Sequence, residues 1–261
     1  MAAAIGFGIG PVSVFVYVPL WAVNVFIILL AVWQLTKHKQ CAGEFKAENW
    51  VSAAILLIIP WVLFSIFAGM GPPPVTMVDW LANATEQQVR YTILIFGGIS
   101  ALMGFALLKV KLEDLGERLY SSLGLTVLGL AIPLFILNMA FWGYYLTDAF
   151  RYFVILPIGN RPDWYPPVKT LFYVISVVEV ALIYLATILF AIALKNTGIL
   201  SIRASYWYIV IAVIGIVSVI LPPSLPEPFS TAGYLAAVPA IPFIMPYLMG
   251  VRLLRFNRIS D

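Results

Sequence analysis

Residues 168–194 read VKTLFYVISVVEVALIYLATILFAIAL. A helix needs about 20 mostly apolar residues to cross a bilayer, so this stretch is long enough to do so. Near its centre it holds one ionisable residue, Glu179. No other apolar run of the chain carries a charge at comparable depth. A carboxylate there is costly in lipid and is kept for a partner, a cavity or a task.

The rest of the composition agrees that lipid is the main solvent. The chain has 261 residues, 62% hydrophobic and 10% charged. Soluble domains carry roughly 25% charged residues, so this deficit leaves too little polar surface for water. The net charge of +3 comes from short basic clusters between apolar runs, a pattern that does not point to nucleic acid. Cys41 is the single cysteine, which excludes an intrachain disulfide. The N-terminal MAAAIGFGIG lacks a basic leader, and the run after it exceeds a signal-peptide core. It is expected to stay as a span.

Seven runs qualify as spans: 12–35, 50–70, 91–108, 119–146, 168–194, 206–221 and 232–254. The expected fold is all-α, one domain over 1–261, a bundle of seven transmembrane helices. Pro133 falls near the middle of the fourth run and is expected to kink one helix, not divide it.

Orientation follows from lysine and arginine, which favour the cytoplasmic side in short loops. With the N-terminus outside, inner segments hold eleven of these residues, among them Lys37, Lys109, Arg118, Lys195, Arg203 and Arg252. The outer connections hold four: Arg90, Arg151, Arg161 and Lys169. The expectation is an outside N-terminus and a cytoplasmic C-terminus, in a plasma membrane or bacterial inner membrane. Proline gives an independent sign. Eleven of the 18 prolines fall in the outer connections, and the three inner loops have none. Proline stiffens a loop by fixing φ. The outer face therefore reads as a rigid cap, with Trp80, Trp164 and Tyr165 either as interfacial belt residues or as a docking surface for protein or lipid. Within that cap, Thr76-Met77-Val78-Asp79 has the spacing of a helix N-cap.

Several chemistries are excluded. His38 is the only histidine, so a bis-histidine haem or a histidine-rich zinc or copper site cannot be built. No nucleophile elbow, HExxH or phosphate-binding loop occurs. The last run holds no lysine to carry a retinal-type Schiff base. No catalytic residue, metal or cofactor is expected; lipid, an apolar pigment or a quinone stays open as a ligand.

What remains is polar material inside the spans. At 100° per residue, Phe172, Ser176, Ile183, Ala186, Thr187 and Phe190 lie within about 80° of Glu179. That face should point into the bundle. Glu179, Ser176, Thr187 and Asn138 form the candidate intramembrane polar site. One reading is structural, a neutral Glu tying its helix to Asn138 or Asn24. The other is a proton or cation site. In the last run, Pro239, Pro242 and Pro246 share one helix face and should bend the closing helix or serve as its hinge, freeing carbonyls at depth.

Three functions fit. The exclusions favour a non-catalytic integral subunit or scaffold of a larger membrane complex, with lipid and other membrane subunits as partners. The alternative is a proton- or cation-coupled carrier of a small solute using Glu179. The third is a receptor-like or lipid-binding module under the outer cap. An enzyme ranks last.

Overall fold

The computed structural model describes residues 14–37, 47–66, 73–157, 162–222, 224–238 and 240–256. Among them every regular element is a helix. In chain order these are α1 Val14–Lys37, α2 Ala47–Phe64, α3 Met77–Ala82, α4 Ala84–Asp114 and α5 Leu119–Ala140. A π-helical segment, Phe141–Tyr145, then leads directly into α6 Leu146–Phe153. The chain finishes with α7 Tyr165–Asn196, α8 Ile202–Ile220, α9 Phe229–Ala237 and α10 Ile244–Phe256. Five stretches are long and apolar enough to cross a membrane: Phe15–Gln34, Ala84–Asp114, Leu119–Phe153, Tyr165–Asn196 and Ile202–Ile220. The protein is a helical, multi-pass membrane protein in its architecture.

The long helices outrun the apolar runs that signal them. α4 starts seven residues before Tyr91 and ends six after Leu108. Its 31 residues reach about 46 Å, well beyond a hydrocarbon core of about 30 Å. Charges at the ends are kept within the helix by pairing one turn apart. Lys109 Nζ lies 2.7 Å from Glu113 Oε1, and Arg151 Nη1 lies 2.8 Å from Asp148 Oδ1. The fourth run likewise extends through α5, the π segment and α6, and Pro133 sits inside α5 without dividing it. At the other end α7 begins with Pro166 and Pro167 in its first turn, where a missing N–H costs no helical bond.

Two runs fall short of full-length helices. The second run, expected to reach residue 70, leaves the helix at Phe64. The seventh is not one bent helix. It is two, α9 of nine residues and α10 of 13, with turns over residues 240–243 leading into α10. Pro239 lies outside the described residues. Pro242 is buried in the turn, and Pro246 occupies the first turn of α10. A proline removes one N–H and collides with the carbonyl four residues back. With prolines at 239 and 242 inside a single turn, continuing the helix costs more than stopping and restarting it. Pro246 is then harmless, because first-turn amides have no helical acceptor.

The helices pack as a row that closes on itself. α2 lies against α4, α4 against α5, α5 against α7, and α7 against α8. α9 returns along α8, while α10 packs on α2. The shared core includes Leu57, Phe64, Phe105, Phe135, Phe190 and Phe243. Phe243, carried in by the break, meets Phe64 edge-on at 5.1 Å and Phe135 at 5.8 Å. Without a hydrophobic drive between helices in lipid, close approach depends on small residues. A Cβ on Gly250 of α10 would stand 2.7 Å from the Ala54 carbonyl oxygen of α2. On Gly215 of α8 it would stand 2.5 Å from the Tyr184 ring.

α1 stands apart from this arrangement. None of its described side chains is buried, and Phe15 is 86% exposed. It leans on α2 and α10, and the Trp21 indole N–H donates to the Val62 carbonyl at 2.9 Å.

Candidate functional site

α5 and α7 run antiparallel, and their contact face is the one that helical spacing predicts from Glu179. Glu179, Ile183, Ala186, Thr187 and Phe190 are buried along α7. On α5, Gly124 lies against Phe190 and Asn138 against Glu179. Asn138 lies in the last turn of α5, just before the π segment.

The Asn138 Nδ2 donates to Glu179 Oε1 at 2.9 Å. Both residues are 1% exposed. Each also keeps a buried oxygen, Glu179 Oε2 and Asn138 Oδ1, that forms no hydrogen bond among the described residues. One buried interhelical bond of this kind contributes about 0.6 to 2 kcal/mol. A buried polar atom left unpaired costs about 1 to 3 kcal/mol. The pair is therefore not a closed structural tie. An ionised Glu179 needs a donor or cation at Oε2, and a neutral one needs an acceptor for its O–H. Asn138 Oδ1 is an open acceptor for the O–H of a neutral Glu179, whereas an ionised Glu179 has no donor or cation at Oε2 among the described residues.

Aromatic rings bracket it. Phe172, two turns towards the start of α7 and about 10 Å along the axis, stacks on Phe141 of the π segment at 3.8 Å with planes 5° apart. Phe135, one turn before Asn138, joins Phe243 on the other side. The site lies between two aromatic layers.

The other expected members fall unevenly. The Thr187 hydroxyl is buried but donates to its own helix, to the Ile183 carbonyl at 3.0 Å. Ser176 is half-buried, one turn from Glu179. Asn24 is exposed on α1, which leaves Asn138 as the partner. Pro242 and Pro246 belong to the break between α9 and α10, not to the Glu179 pair.

Tyr184 is a contact that spacing alone did not reveal. Its hydroxyl donates to the Ala236 carbonyl at 3.2 Å, in the last turn of α9. That carbonyl precedes the prolines and lacks a continuing helix to bond with. Tyr184 caps it from α7, so the helix that carries Glu179 also holds the end of α9. Replacing Tyr184 with Phe removes this bond and should cost about 1 kcal/mol. Thermal unfolding in detergent checks it, with the loss of Tm expected to be small and no change in helix content.

Trp80, Trp164 and Tyr165, the three candidate docking residues, differ in exposure. Thr76 does cap α3, its Oγ1 accepting from the Asp79 amide at 3.1 Å. Trp80, however, is 4% exposed. Its indole N–H donates to Thr147 Oγ1 at 3.0 Å, and its ring stacks on Tyr91 at 6.3 Å. A buried indole N–H needs such a partner, and the Thr147 hydroxyl in turn donates to the Gly143 carbonyl at 2.8 Å. Tyr165 is half-buried against Phe153, with centroids 4.9 Å apart. Only Trp164, 48% exposed, presents a ring outward. Two further buried polar residues, Gln87 and Arg90, lie in the first turns of α4, with Arg90 Nη2 3.6 Å from Glu86 Oε1. Arg90 had the look of a loop residue because it flanks the apolar run; Glu86 one turn earlier was the available sign that it is helical.

Among the described residues no cluster of three or more His, Cys, Asp or Glu side chains could hold a metal ion. Comparison with protein-family models, with curated proteins and with solved structures returns no match.

Proposed function

We propose that this protein is a proton- or cation-coupled carrier of a small solute, working through Glu179 and Asn138. One observation carries the reading: two buried oxygens, on facing helices, that have no hydrogen-bond partner among the described residues. Intramembrane carboxyls facing a bundle interior mark ion and proton pathways. The broken α9–α10 segment supports it, since carriers use discontinuous helices at the substrate path. Here the break delivers Phe243 to Phe135, one turn from Asn138.

In this reading the chain crosses the membrane seven times. α2 forms the second crossing, and α9 with α10 together form the seventh. The N-terminus is outside and the C-terminus cytoplasmic, in a plasma or bacterial inner membrane. The basic residues support this sidedness, eleven against four. A cysteine at Ser224, in a Cys41→Ser background, should react with an impermeant thiol reagent added outside. One at Thr197 should react only after the membrane is opened. The reverse pattern would invert the orientation.

A second reading, a non-catalytic subunit of a membrane complex, has an observation of its own. α1 is 24 residues long and none of its described side chains is buried by the rest of the chain. Lipid satisfies such a face, and so does a neighbouring subunit. Extraction in mild detergent and a native gel separate the two: a stoichiometric larger species supports the subunit, and a lone monomer the carrier. If a complex forms, Trp164→Ser should weaken it; because the ring also meets Phe153 at 6.2 Å and Tyr145 at 6.4 Å, a thermal melt of the variant is read beside the gel. Tyr165 is unsuited to this test because it packs on Phe153.

A further inference from the structure

We infer that the species exchanged at Glu179 is a proton, not a metal cation. The inference rests on the carrier reading for its purpose, and on the donor set around Glu179 for its identity. A hard metal cation leaving water takes about six or more oxygens. Two stand ready here, Glu179 Oε2 and Asn138 Oδ1. The neighbours on the same face are Phe172, Ile183, Ala186 and Phe190, which carry no side-chain oxygen, Thr187, whose hydroxyl is committed to the Ile183 carbonyl, and the half-buried Ser176, which brings the side-chain oxygens to three at most. A proton needs one lone pair.

The amide suits both states of the carboxyl. Asn138 presents a donor, Nδ2, and an acceptor, Oδ1, on one carbon. With Glu179 ionised, the Nδ2–H bond to Oε1 stabilises the carboxylate. With Glu179 neutral, the proton sits on Oε2, and a rotation of the carboxyl brings that O–H towards Oδ1. Release breaks the Oε2–H bond and passes the proton to water. The electron pair stays on the carboxylate, and nothing is oxidised or reduced.

No fixed charge competes for this role. The ionisable groups on elements packed against α7 are Tyr120 of α5, Tyr144 and Tyr145 of the π segment, the exposed Asp148, Arg151 and Tyr152 of α6, Arg203 and Tyr208 of α8, and Tyr234 of α9. Tyr206 of α8 faces outward, 63% exposed. On α7 itself Tyr184 is turned to α9, and Lys169, Tyr173 and Lys195 lie away from Glu179 along the helix or round it. None of these forms a hydrogen bond or ion pair with Glu179 among the described residues.

Infrared difference spectroscopy on the full chain in phosphatidylcholine vesicles tests this. The neutral carboxyl has a C=O stretch that the carboxylate and the Gln amide lack. Wild type minus Glu179→Gln should give one such band, lost as pH rises and unmoved by NaCl or KCl at fixed pH. Asn138→Ser should shift the same band by removing its hydrogen bond, so the assignment survives if Glu179→Gln fails to fold. Bleaching of the band by Na⁺ or K⁺ at fixed pH would overturn the inference. So would a band that never titrates, or none at any pH. The carrier reading fails separately. A titrating, salt-insensitive band without flux in liposomes would keep the proton site and remove the carrier. Flux with a salt-sensitive band would keep the carrier and exchange the proton for a metal ion.

Discussion

Glu179→Gln should abolish coupled flux while leaving the bundle folded. Gln has the shape of a neutral Glu, and its carbonyl oxygen can accept from Asn138 Nδ2 as Glu179 Oε1 does at 2.9 Å. The interhelical bond, about 0.6 to 2 kcal/mol, is retained. What is lost is titration, since an amide does not exchange a proton in the physiological range. Glu179→Leu removes both. It leaves the Asn138 amide buried without a partner, at a further cost of about 1 to 3 kcal/mol. Gln should therefore keep the wild-type Tm and lose flux, whereas Leu loses flux and stability together. Circular dichroism and thermal melts on the two variants separate the chemical effect from the structural one.

Gly250→Ala should be the most damaging small change in the core. The new Cβ would stand 2.7 Å from the Ala54 carbonyl oxygen and 3.1 Å from Ile58 Cγ1. A backbone oxygen within α2 cannot swing aside as a side chain does, so α10 must back away from α2. Overpacking of this kind costs about 1 to 3 kcal/mol. The damage should extend beyond that contact, because Met249 and Leu253 on α10 are buried in the same core. Gly129→Ala is the control. Its Cβ would meet nothing within 4 Å, so the substitution gains helix propensity alone, up to about 1 kcal/mol. A Tm lowered by Gly250→Ala and unchanged or raised by Gly129→Ala supports the packing described. Equal effects would contradict it.

Helices, and most of their order along the chain, were legible in the sequence because the bilayer demands long apolar runs. Their ends were not. Hydropathy stops at the first charge, whereas α4 continues through Lys109 and Glu113 because the two pair across one turn. The closing segment shows a second limit. Three prolines announced a disturbed helix, but whether it bends or restarts depends on what receives the freed carbonyls. Tyr184, 52 residues away in sequence, receives one of them. At the site, Glu179 was legible as the one charge deep in an apolar run, and its helical face followed from the 100° rule. Its partner was not decidable between Asn138 and Asn24, since that choice depends on which helices adjoin. Thr187 lay on the correct face, yet bonds its own backbone. Trp80 had the sequence context of a surface aromatic, and Thr147 and Phe150 of α6 with Tyr91 of α4 bury it. The π segment places Gly143 against Tyr91 and Phe141 against Phe172, distant contacts that no local pattern marks.

The most direct test of the central claim is the decay of an imposed pH gradient in liposomes, followed by an internal pH dye while candidate small solutes are added outside. Wild-type protein should dissipate the gradient faster than empty liposomes when the carried solute is present. Glu179→Gln, incorporated to the same density, should match the empty liposomes. Equal decay for both proteins, each faster than empty liposomes, would contradict a role for Glu179 in coupling; no decay above background from either would favour the subunit reading.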